Sequence, residues 1–510
     1  MTILQKNIAA NIAGSIWQAL MGLIFIPFYI KFMGIESWGL IGFFYTLLIM
    51  FTLLDLGLSN TLNRELARLS VLAGKEQEMN NLVRTLEVLY WGIAIFVGVA
   101  VVALSPLLAH HWIKAGQLSP KTIELTLLIM GFVIALQMPV GFYSGGLLGL
   151  QKQVLLNVIN VGMSTLRGAG AALVLWLVSP TIQAFFIWQI VVSVIQISLL
   201  ALFFWRRLPR CNKYAVFEKQ LFKGIWRFAA GMSGISALAV ILTQLDKVIL
   251  SKMISLEMFG YYTLASMAAM SLGCFFTPVF SSIYPRFTQL FSIGDQEGLK
   301  HLYHQGCQFM SVLILPIAIV VALFSYEILL LWTQNPTTAE KSHDLLSILV
   351  CGTAINGLMN LPYALQLASG WTKLSFFKNV LAVSLFVPLI IYMTTHYGAI
   401  GAAWAWLGLN MCYLFFEIPI MHRRLLPNEK WRWYWQDVGV PLVAGLSLSI
   451  LGRLFLNSML SQFMDAAYLI TISILTFGVT LFSVPTIRSI LYEQFLKIKL
   501  LYGTKSGLND

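Results

Sequence analysis

Charged side chains inside otherwise apolar segments are the residues of this chain with the clearest chemistry. Arg167 lies thirteen residues into an apolar segment, 154–177, and at about 1.5 Å per residue it is roughly 20 Å from the start of a helix there. In a bilayer, a central arginine costs about 2.5–3.5 kcal/mol on insertion scales, so the guanidinium should face the protein interior. Two interpretations stay open: a structural ion pair with a distant carboxylate, or a binding position for an anion.

Other charges in or beside the apolar segments extend this chemistry. Carboxylates that could couple to an ion or pair with a cation are Asp55, Asp246 and Glu327. Cations that could gather an anion at one membrane surface are Arg64, Arg68, Arg286 and Lys378. Because adjacent helical residues do not share a face, Asp246 and Lys247 are not expected to point into one lumen.

The composition indicates an integral membrane protein. Hydrophobic residues make up 58% of the 510 and charged residues 11%, against about 25% charged in a soluble domain. A helix needs about 20 apolar residues to cross a bilayer, and alternation typical of a β-barrel is absent. The sequence therefore predicts an all-α protein of about fourteen transmembrane helices: 8–30, 38–60, 85–106, 123–145, 154–177, 182–205, 228–250, 258–283, 305–331, 344–368, 375–394, 398–420, 437–457 and 466–487.

The net charge of +12 is a topology signal and does not indicate nucleic-acid binding. In the predicted layout, 25 of the 33 lysines and arginines lie at the termini and in the alternate loops on the same side, and five lie on the opposite side. The positive-inside rule then puts both termini in the cytoplasm.

An internal repeat predicts the arrangement of the helices. Residues 31–39 resemble residues 252–260, which lie 221 positions later. At the same offset, Gly131, Gly149 and Lys152 are each matched by an identical residue. Six spans separate the two windows, so the halves run in the same direction around a central cavity, as in many transporters. The predicted parts are an N-lobe of six helices, a basic cytoplasmic linker, a C-lobe of six helices, and two further helices with a cytoplasmic tail: 1–205, 206–227, 228–422 and 423–510.

Amides and prolines occupy corresponding spans of the two halves. The fourth span carries Gln137 and Pro139, and the tenth carries Asn356, Asn360 and Pro362. Proline removes a backbone hydrogen bond, and paired broken helices often mark a transport site. A broken helix lining a cavity and a purely structural kink explain these residues equally well.

Signals of catalysis are poor. The chain has no GxxxxGK[ST] loop for nucleotide phosphates, its five cysteines form no CxxC motif, and no predicted loop could hold a soluble domain. We therefore expect neither an enzyme nor a bound cofactor or metal.

Several motifs resemble one family of transporters. These motifs lie at 7–14, 27–39 and 55–65 and, in the second half, at 245–247, 259–262, 285–287 and 294–295. They look like the corresponding motifs of Wzx-type flippases of the polysaccharide transporter family. The resemblance covers nearly the whole chain. Relatives often have a basic residue in the first helix, where this chain has none, which puts more of the anion binding on Arg167 and on the arginines of the cytoplasmic mouth, Arg64, Arg68 and Arg286.

The resemblance implies a bacterial inner-membrane flippase that moves an undecaprenyl-pyrophosphate-linked oligosaccharide, such as an O-antigen unit, to the periplasmic leaflet by alternating access. A proton or sodium gradient would drive it, and a glycan polymerase and a chain-length regulator are possible partners. The alternatives are a multidrug antiporter of the same fold, which would favour carboxylates and aromatic residues in the lumen, and a non-transporting scaffold for glycan assembly.

Overall fold

The computed structural model describes residues 3–70, 72, 74–209, 211, 214–218, 237–456, 462–485 and 488. These residues form helices joined by short connections, and no strand occurs among them. The predicted all-α fold is therefore confirmed. Much of the predicted linker 206–227, the start of the predicted seventh span and most of the cytoplasmic tail lie outside the described residues.

The helices of the first part of the chain begin near the N-terminus and are mostly long. Their bounds are α1 Ile3–Ile24, α2 Ile26–Phe51, α3 Leu58–Leu69, α4 Glu76–Leu107, α5 Pro120–Gly149, α6 Gln153–Leu177, α7 Ile182–Arg207, α8 237–253 and α9 Leu256–Met270.

The second part has more breaks and several shorter helices. Their bounds are α10 Gly273–Ile293, α11 Gln296–Leu323, α12 Ser325–Thr333, α13 Pro336–Leu358, α14 Asn360–Ala368, α15 Thr372–Cys412, α16 Ile418–Leu425, α17 Lys430–Arg432, α18 Val440–Phe455 and α19 Gln462–Ser483.

Eleven described segments are long and apolar enough to cross a membrane, so the chain is a multi-pass membrane protein. One of them, Thr372–Leu425, has 54 residues, far more than the roughly 20 that one crossing needs, and it bends at Gly398 (φ 62°). This bend falls where the sequence separates the eleventh and twelfth spans. The total of fourteen crossings stays a prediction.

The first predicted span, 8–30, is interrupted in the structure. Helix α1 ends at Ile24, and α2 starts at Ile26 with Pro27 in its first turn. Proline suits that position because its missing N–H would have no helical partner there. A second bend follows at Gly34, whose φ of 81° is left-handed.

Residue contacts divide the chain into two compact units. Unit 1 comprises Met1–Leu264 with Lys378–Ala402, and unit 2 comprises Ala265–Phe377 with Ala403–Asp510. A core of unit 1 lies among α3, α4, α5 and α7. Leu58, Leu62, Leu66 and Leu69 line one face of α3 and are buried in it, which explains how a helix with a charged outer face is held.

Within unit 1 the two repeat windows touch each other. A Cβ on Gly39 would come 2.4 Å from the carbonyl oxygen of Leu256, and one on Gly260 would come 2.3 Å from that of Ile35. Gly39 and Gly260, like Ile35 and Leu256, are 221 residues apart, so the crossing of α2 and α9 is symmetric about the repeat. Glycine permits this close backbone approach.

The 113–118 segment, which follows the π-helical turn Leu108–Trp112 after α4, is bonded to both repeat windows. The carboxylate of Glu36 accepts from the backbone N–H groups of Gly116, Gln117 and Leu118, the latter two at 2.8 Å. On the other window, Leu256 donates its backbone N–H to Lys114 at 2.8 Å. These bonds satisfy the backbone of a segment that has no regular structure.

Unit 2 is organised around α11, which packs against α13, α18 and α19. A row of ionisable side chains, here called the row of charges, joins α11 to the C-terminal helices. His304 contacts Asp437 through Nδ1 at 2.5 Å and Glu429 through Nε2 at 3.0 Å, and Arg432 lies 3.6 Å from Glu429. Asp437 is fully buried, whereas the Arg432 side chain is half exposed. The row of charges, Asp437, His304, Glu429 and Arg432, therefore runs from the interior to the surface.

Candidate functional site

Arg167 is held by two neutral side chains of a neighbouring helix. It is the fifteenth of the twenty-five residues of α6. Its Nη1 donates to Gln189 Oε1 at 2.8 Å and its Nη2 to Gln196 Oε1 at 2.9 Å. No carboxylate pairs with it among the residues that the structure describes, and its titratable neighbours are the phenols of Tyr29 and Tyr45.

Small residues and aromatic anchors fix α6 on both sides of Arg167. Tyr29 donates its hydroxyl to the carbonyl of Gly168 at 3.0 Å, and the indole of Trp188 donates to that of Leu166 at 3.1 Å. A Cβ on Gly170 would come 2.2 Å from the Trp188 ring. These contacts hold the helix that carries the guanidinium, and they bring α2 and α7 against it.

Asp55 lies at the end of a short 3-10 helix, Thr52–Asp55, and accepts three hydrogen bonds, all through Oδ1. It accepts from the backbone N–H of Ser59 at 3.1 Å, from the Ser59 hydroxyl at 2.6 Å and from the Tyr90 hydroxyl. The chain turns there through left-handed Leu56 and Gly57, which lets the carboxylate cap α3.

Arg64 and Arg68 are exposed on the outer face of α3. Arg68 pairs with Glu65 at 2.8 Å, three residues before it on the same helix. Such an exposed pair contributes little stability, so Arg68 can leave it at small cost.

Asp246 and Lys247 form a buried pair in α8. The ammonium lies 3.3 Å from Asp246 Oδ2, and the Tyr262 hydroxyl of α9 donates to the same oxygen at 2.6 Å. The side chains of the pair are 6% and 10% exposed. Although neighbours on a helix face different ways, the long lysine side chain bends back to reach the carboxylate.

Glu327 pairs with an arginine that the sequence places in the predicted thirteenth span. Glu327, in α12, and Arg453, in α18, approach to 2.5 Å, and the guanidinium also lies over the Phe324 ring at 5.5 Å. The pair connects α12 to α18 within unit 2.

The remaining two cations lie in separate units. Arg286 is exposed on α10 and donates through Nη1 to Gln289 at 3.0 Å. Lys378 is half-buried in the part of α15 that belongs to unit 1.

The amide and proline positions differ between the two predicted breaks. Helix α5 continues from Pro120 to Gly149 through Gln137 and Pro139, so the break predicted in the fourth span is not observed. Proline removes only one intrahelical bond, and packing on α3, α4 and α7 holds α5 together.

The chain does interrupt its helix in the tenth span, where α13 ends at Leu358 and α14 begins at Asn360. Asn356 donates to the Asn410 side chain at 2.9 Å, and Asn360 donates to the carbonyl of Asn356 at 3.0 Å. Pro362 lies in the first turn of α14, so these three residues surround the interruption.

In unit 1 the structure places Arg167, Asp55 and Asp246 in three separate networks, and no contact joins these networks among the described residues. Sequence reasoning missed Gln189 and Gln196, the partners of Arg167. Their signal was available: they are polar residues seven apart in an apolar span, a spacing that puts both on one helix face. It also missed the buried His304, Asp437 and Glu429. Among the residues described, no group could hold a metal ion.

Comparison with solved structures identifies the fold. The chain is similar to the lipid II flippase MurJ in an inward closed conformation, with a TM-score of 0.67 and 14% identity over 97% of this chain and 100% of that one. It is also similar to a multidrug resistance MATE family transporter of the MOP superfamily in an inward-facing conformation, with a TM-score of 0.65 and 15% identity over 80% of this chain and 94% of that one. The chain therefore shares its fold with these two transporters.

Sequence comparisons also group the chain with transport proteins and not with enzymes. It is 21% identical over 402 residues to a Shigella flexneri protein named "Putative O-antigen transporter", covering 79% of this chain and 93% of that protein. A family model described as MatE matches residues 232–393. A family model described as polysaccharide biosynthesis protein matches residues 4–291, more than half of the sequence. The chain belongs to the polysaccharide biosynthesis protein family.

Proposed function

We propose that this protein is a flippase that moves an undecaprenyl-pyrophosphate-linked oligosaccharide from the cytoplasmic to the periplasmic leaflet of a bacterial inner membrane by alternating access. The observation that carries the proposal is Arg167. It lies mid-way along a membrane-spanning helix, is bonded to neutral amides, and is paired with no described carboxylate. A membrane arginine costs about 2.5–3.5 kcal/mol to insert, and an anionic cargo supplies the missing countercharge.

Family membership and the relatives support this cargo. The Shigella flexneri relative is named as a transporter of O-antigen, and the fold is similar to that of a lipid II flippase. Both names refer to glycans or lipid-linked precursors of the cell surface. A pyrophosphate esterified by lipid at one end and sugar at the other carries two negative charges, which suits a guanidinium with free donors.

The other charged residues have supporting roles in this proposal. Arg64, Arg68, Arg286 and Lys378 would gather the headgroup at a cytoplasmic mouth, with both termini on that side. Asp55, Asp246 and Glu327 would serve in coupling to a proton or sodium gradient or as charge partners. A glycan polymerase and a chain-length regulator would receive the product.

The first test is depletion of the protein in its native bacterium, with the lipid-linked oligosaccharide pool and the surface glycan quantified together. We expect one complete repeat unit to accumulate on the lipid while the surface polymer disappears. An unchanged pool, in a strain shown to have no second flippase, would refute the proposed function.

Complementation with Arg167 variants tests the residue itself. We expect Arg167→Ala to abolish transport and Arg167→Lys to retain part of it, because lysine keeps the charge without the planar fork of donors. The matched control is Lys300→Ala, which removes a cation already paired with Glu297 at 2.8 Å. Protein inserted in the membrane is measured for each variant, and a wild-type rate for Arg167→Ala would remove this residue from the mechanism.

A multidrug antiporter is the second candidate. It is favoured by the MatE match over residues 232–393 and by the similarity to a MATE transporter fold. An organic cation would need a carboxylate that is free to bind it, and Asp246 is occupied by Lys247 and Tyr262. Protection of cells from cationic dyes, lost in Asp246→Asn, would favour this candidate over the flippase.

A further inference from the structure

The two glutamines beside Arg167 have a defined orientation. A guanidinium has five N–H donors and no acceptor, so a glutamine that contacts it must present its oxygen. Gln189 and Gln196 do so at 2.8 and 2.9 Å. The amide nitrogens of both side chains therefore point away from Arg167, and neither has a hydrogen-bond partner among the described residues.

The resulting cluster offers donors almost exclusively. Two guanidinium N–H groups are used by the glutamines, which leaves three, and each amide adds its NH₂ group. Such a set suits an oxyanion better than a sugar hydroxyl, which must also donate. The positive charge is retained because an amide, unlike a carboxylate, holds the guanidinium without neutralising it.

The glutamines also limit where the guanidinium can be. They are seven residues apart on α7, about 10.5 Å along the axis, and their side chains converge on one group. Ser193 lies between them on the same face, and its hydroxyl is buried without a partner among the described residues. A third polar group thus borders the same position.

We propose that Gln189 and Gln196 are positioning residues that hold Arg167 as an uncompensated cation and, with their own NH₂ groups, complete a binding position for a phosphate or carboxylate oxyanion. The proposal rests on the proposed function and specifies how its site achieves charge selectivity. The oxyanion would come from the lipid pyrophosphate or from an acidic sugar.

Isosteric substitutions test whether Gln189 and Gln196, here called the clamp, must be neutral. Gln189→Glu and Gln196→Glu keep size and the bond to Arg167 but add the missing countercharge. Gln189→Met and Gln196→Met keep approximate size and neutrality but lose the bond. If the clamp were purely structural, the Glu variants would transport faster than the Met variants, because a charge-assisted bond holds Arg167 more firmly. The proposed role predicts the opposite order of transport rates.

We expect the Glu variants to transport lipid-linked oligosaccharide at least about ten-fold more slowly than the Met variants, since a charged partner strengthens the competing bond. They should unfold at the same temperature as the wild type or higher. Gln183→Glu, in the first turn of the same helix, is the matched control and should transport normally. Glu variants that transport as well as the Met variants would overturn the proposal.

Ligand binding to the purified protein separates this inference from the proposed function. Inorganic pyrophosphate and glucuronate are added separately, and the shift in unfolding temperature is measured. Stabilisation by pyrophosphate would identify the bound oxyanion as a phosphate of the lipid carrier. Stabilisation by glucuronate would identify it as the carboxylate of an acidic sugar.

Either stabilisation should be lost in both Glu variants and kept in Gln183→Glu. This result would support the clamp even if depletion left the lipid-linked pool unchanged. Stabilisation by neither anion, or stabilisation that persists in the Glu variants, would overturn the clamp alone.

Discussion

Alanine at the glycine crossing of α2 and α9 should destabilise unit 1. Each added Cβ would lie 2.3–2.4 Å from a backbone carbonyl oxygen, whereas ordinary contact begins at 3.4 Å. The two helices must therefore separate by about 1 Å, because a backbone oxygen, unlike a side chain, cannot rotate away. Overpacking of this kind costs about 3 kcal/mol, and alanine regains about 1 kcal/mol of helix propensity. We expect Gly39→Ala or Gly260→Ala to cost about 2 kcal/mol net.

The double variant makes this reasoning sharper. Both methyl groups require the same separation of the same helices, so the steric cost is met once while the propensity gain is obtained twice. We expect the pair to cost about 1 kcal/mol, where additivity would give about 4 kcal/mol.

The assay is the free energy of unfolding of the purified protein in a mixed-detergent titration, with Gly92→Ala as the control. Gly92 is exposed in α4 with no atom near its missing Cβ, so alanine there should be neutral or stabilising. Additive losses, or single variants as stable as the wild type, would refute the shared-crossing argument.

Two further predictions concern buried charges. His304→Ala should lower the free energy of unfolding by about 3–5 kcal/mol, because Asp437 and Glu429 lose the imidazole that contacts both of them; detergent titration checks this, and an unchanged stability would show that the row of charges contributes nothing. Glu36→Ala should cost about 2–4 kcal/mol through its three lost backbone bonds and make the 113–118 segment more sensitive to protease, with Glu36→Gln intermediate; equal cleavage rates for wild type and Glu36→Ala would contradict this.

The sequence predicted the features that depend on composition and repetition. The all-α membrane fold follows from apolar length alone, and the 221-residue repeat identified two windows that the structure finds in direct contact at Gly39 and Gly260. The bend at Gly398 falls at a predicted boundary because only glycine adopts that backbone conformation readily.

Features that depend on which helices are neighbours could not be predicted. The spacing of Gln189 and Gln196 shows that they share a face of α7, but not that α6 lies against it. His304 and Asp437 are 133 residues apart in the sequence, and no periodicity relates them. At Pro139 a local sequence rule is overridden by packing. Proline predicts a break in the helix, but contacts with three other helices keep α5 continuous.

The row of charges from Asp437 to Arg432 also bears on how this chain could be shortened. Helices α17 to α19 lie beyond residue 393, where the later of the two family-model matches ends, and by sequence they could be mistaken for a removable extension. A version truncated before Glu429 would leave His304 without either carboxylate and Gln308 without its bond to Asp437. A version of unit 2 that keeps these contacts is therefore larger than the part that the repeat and the family matches define.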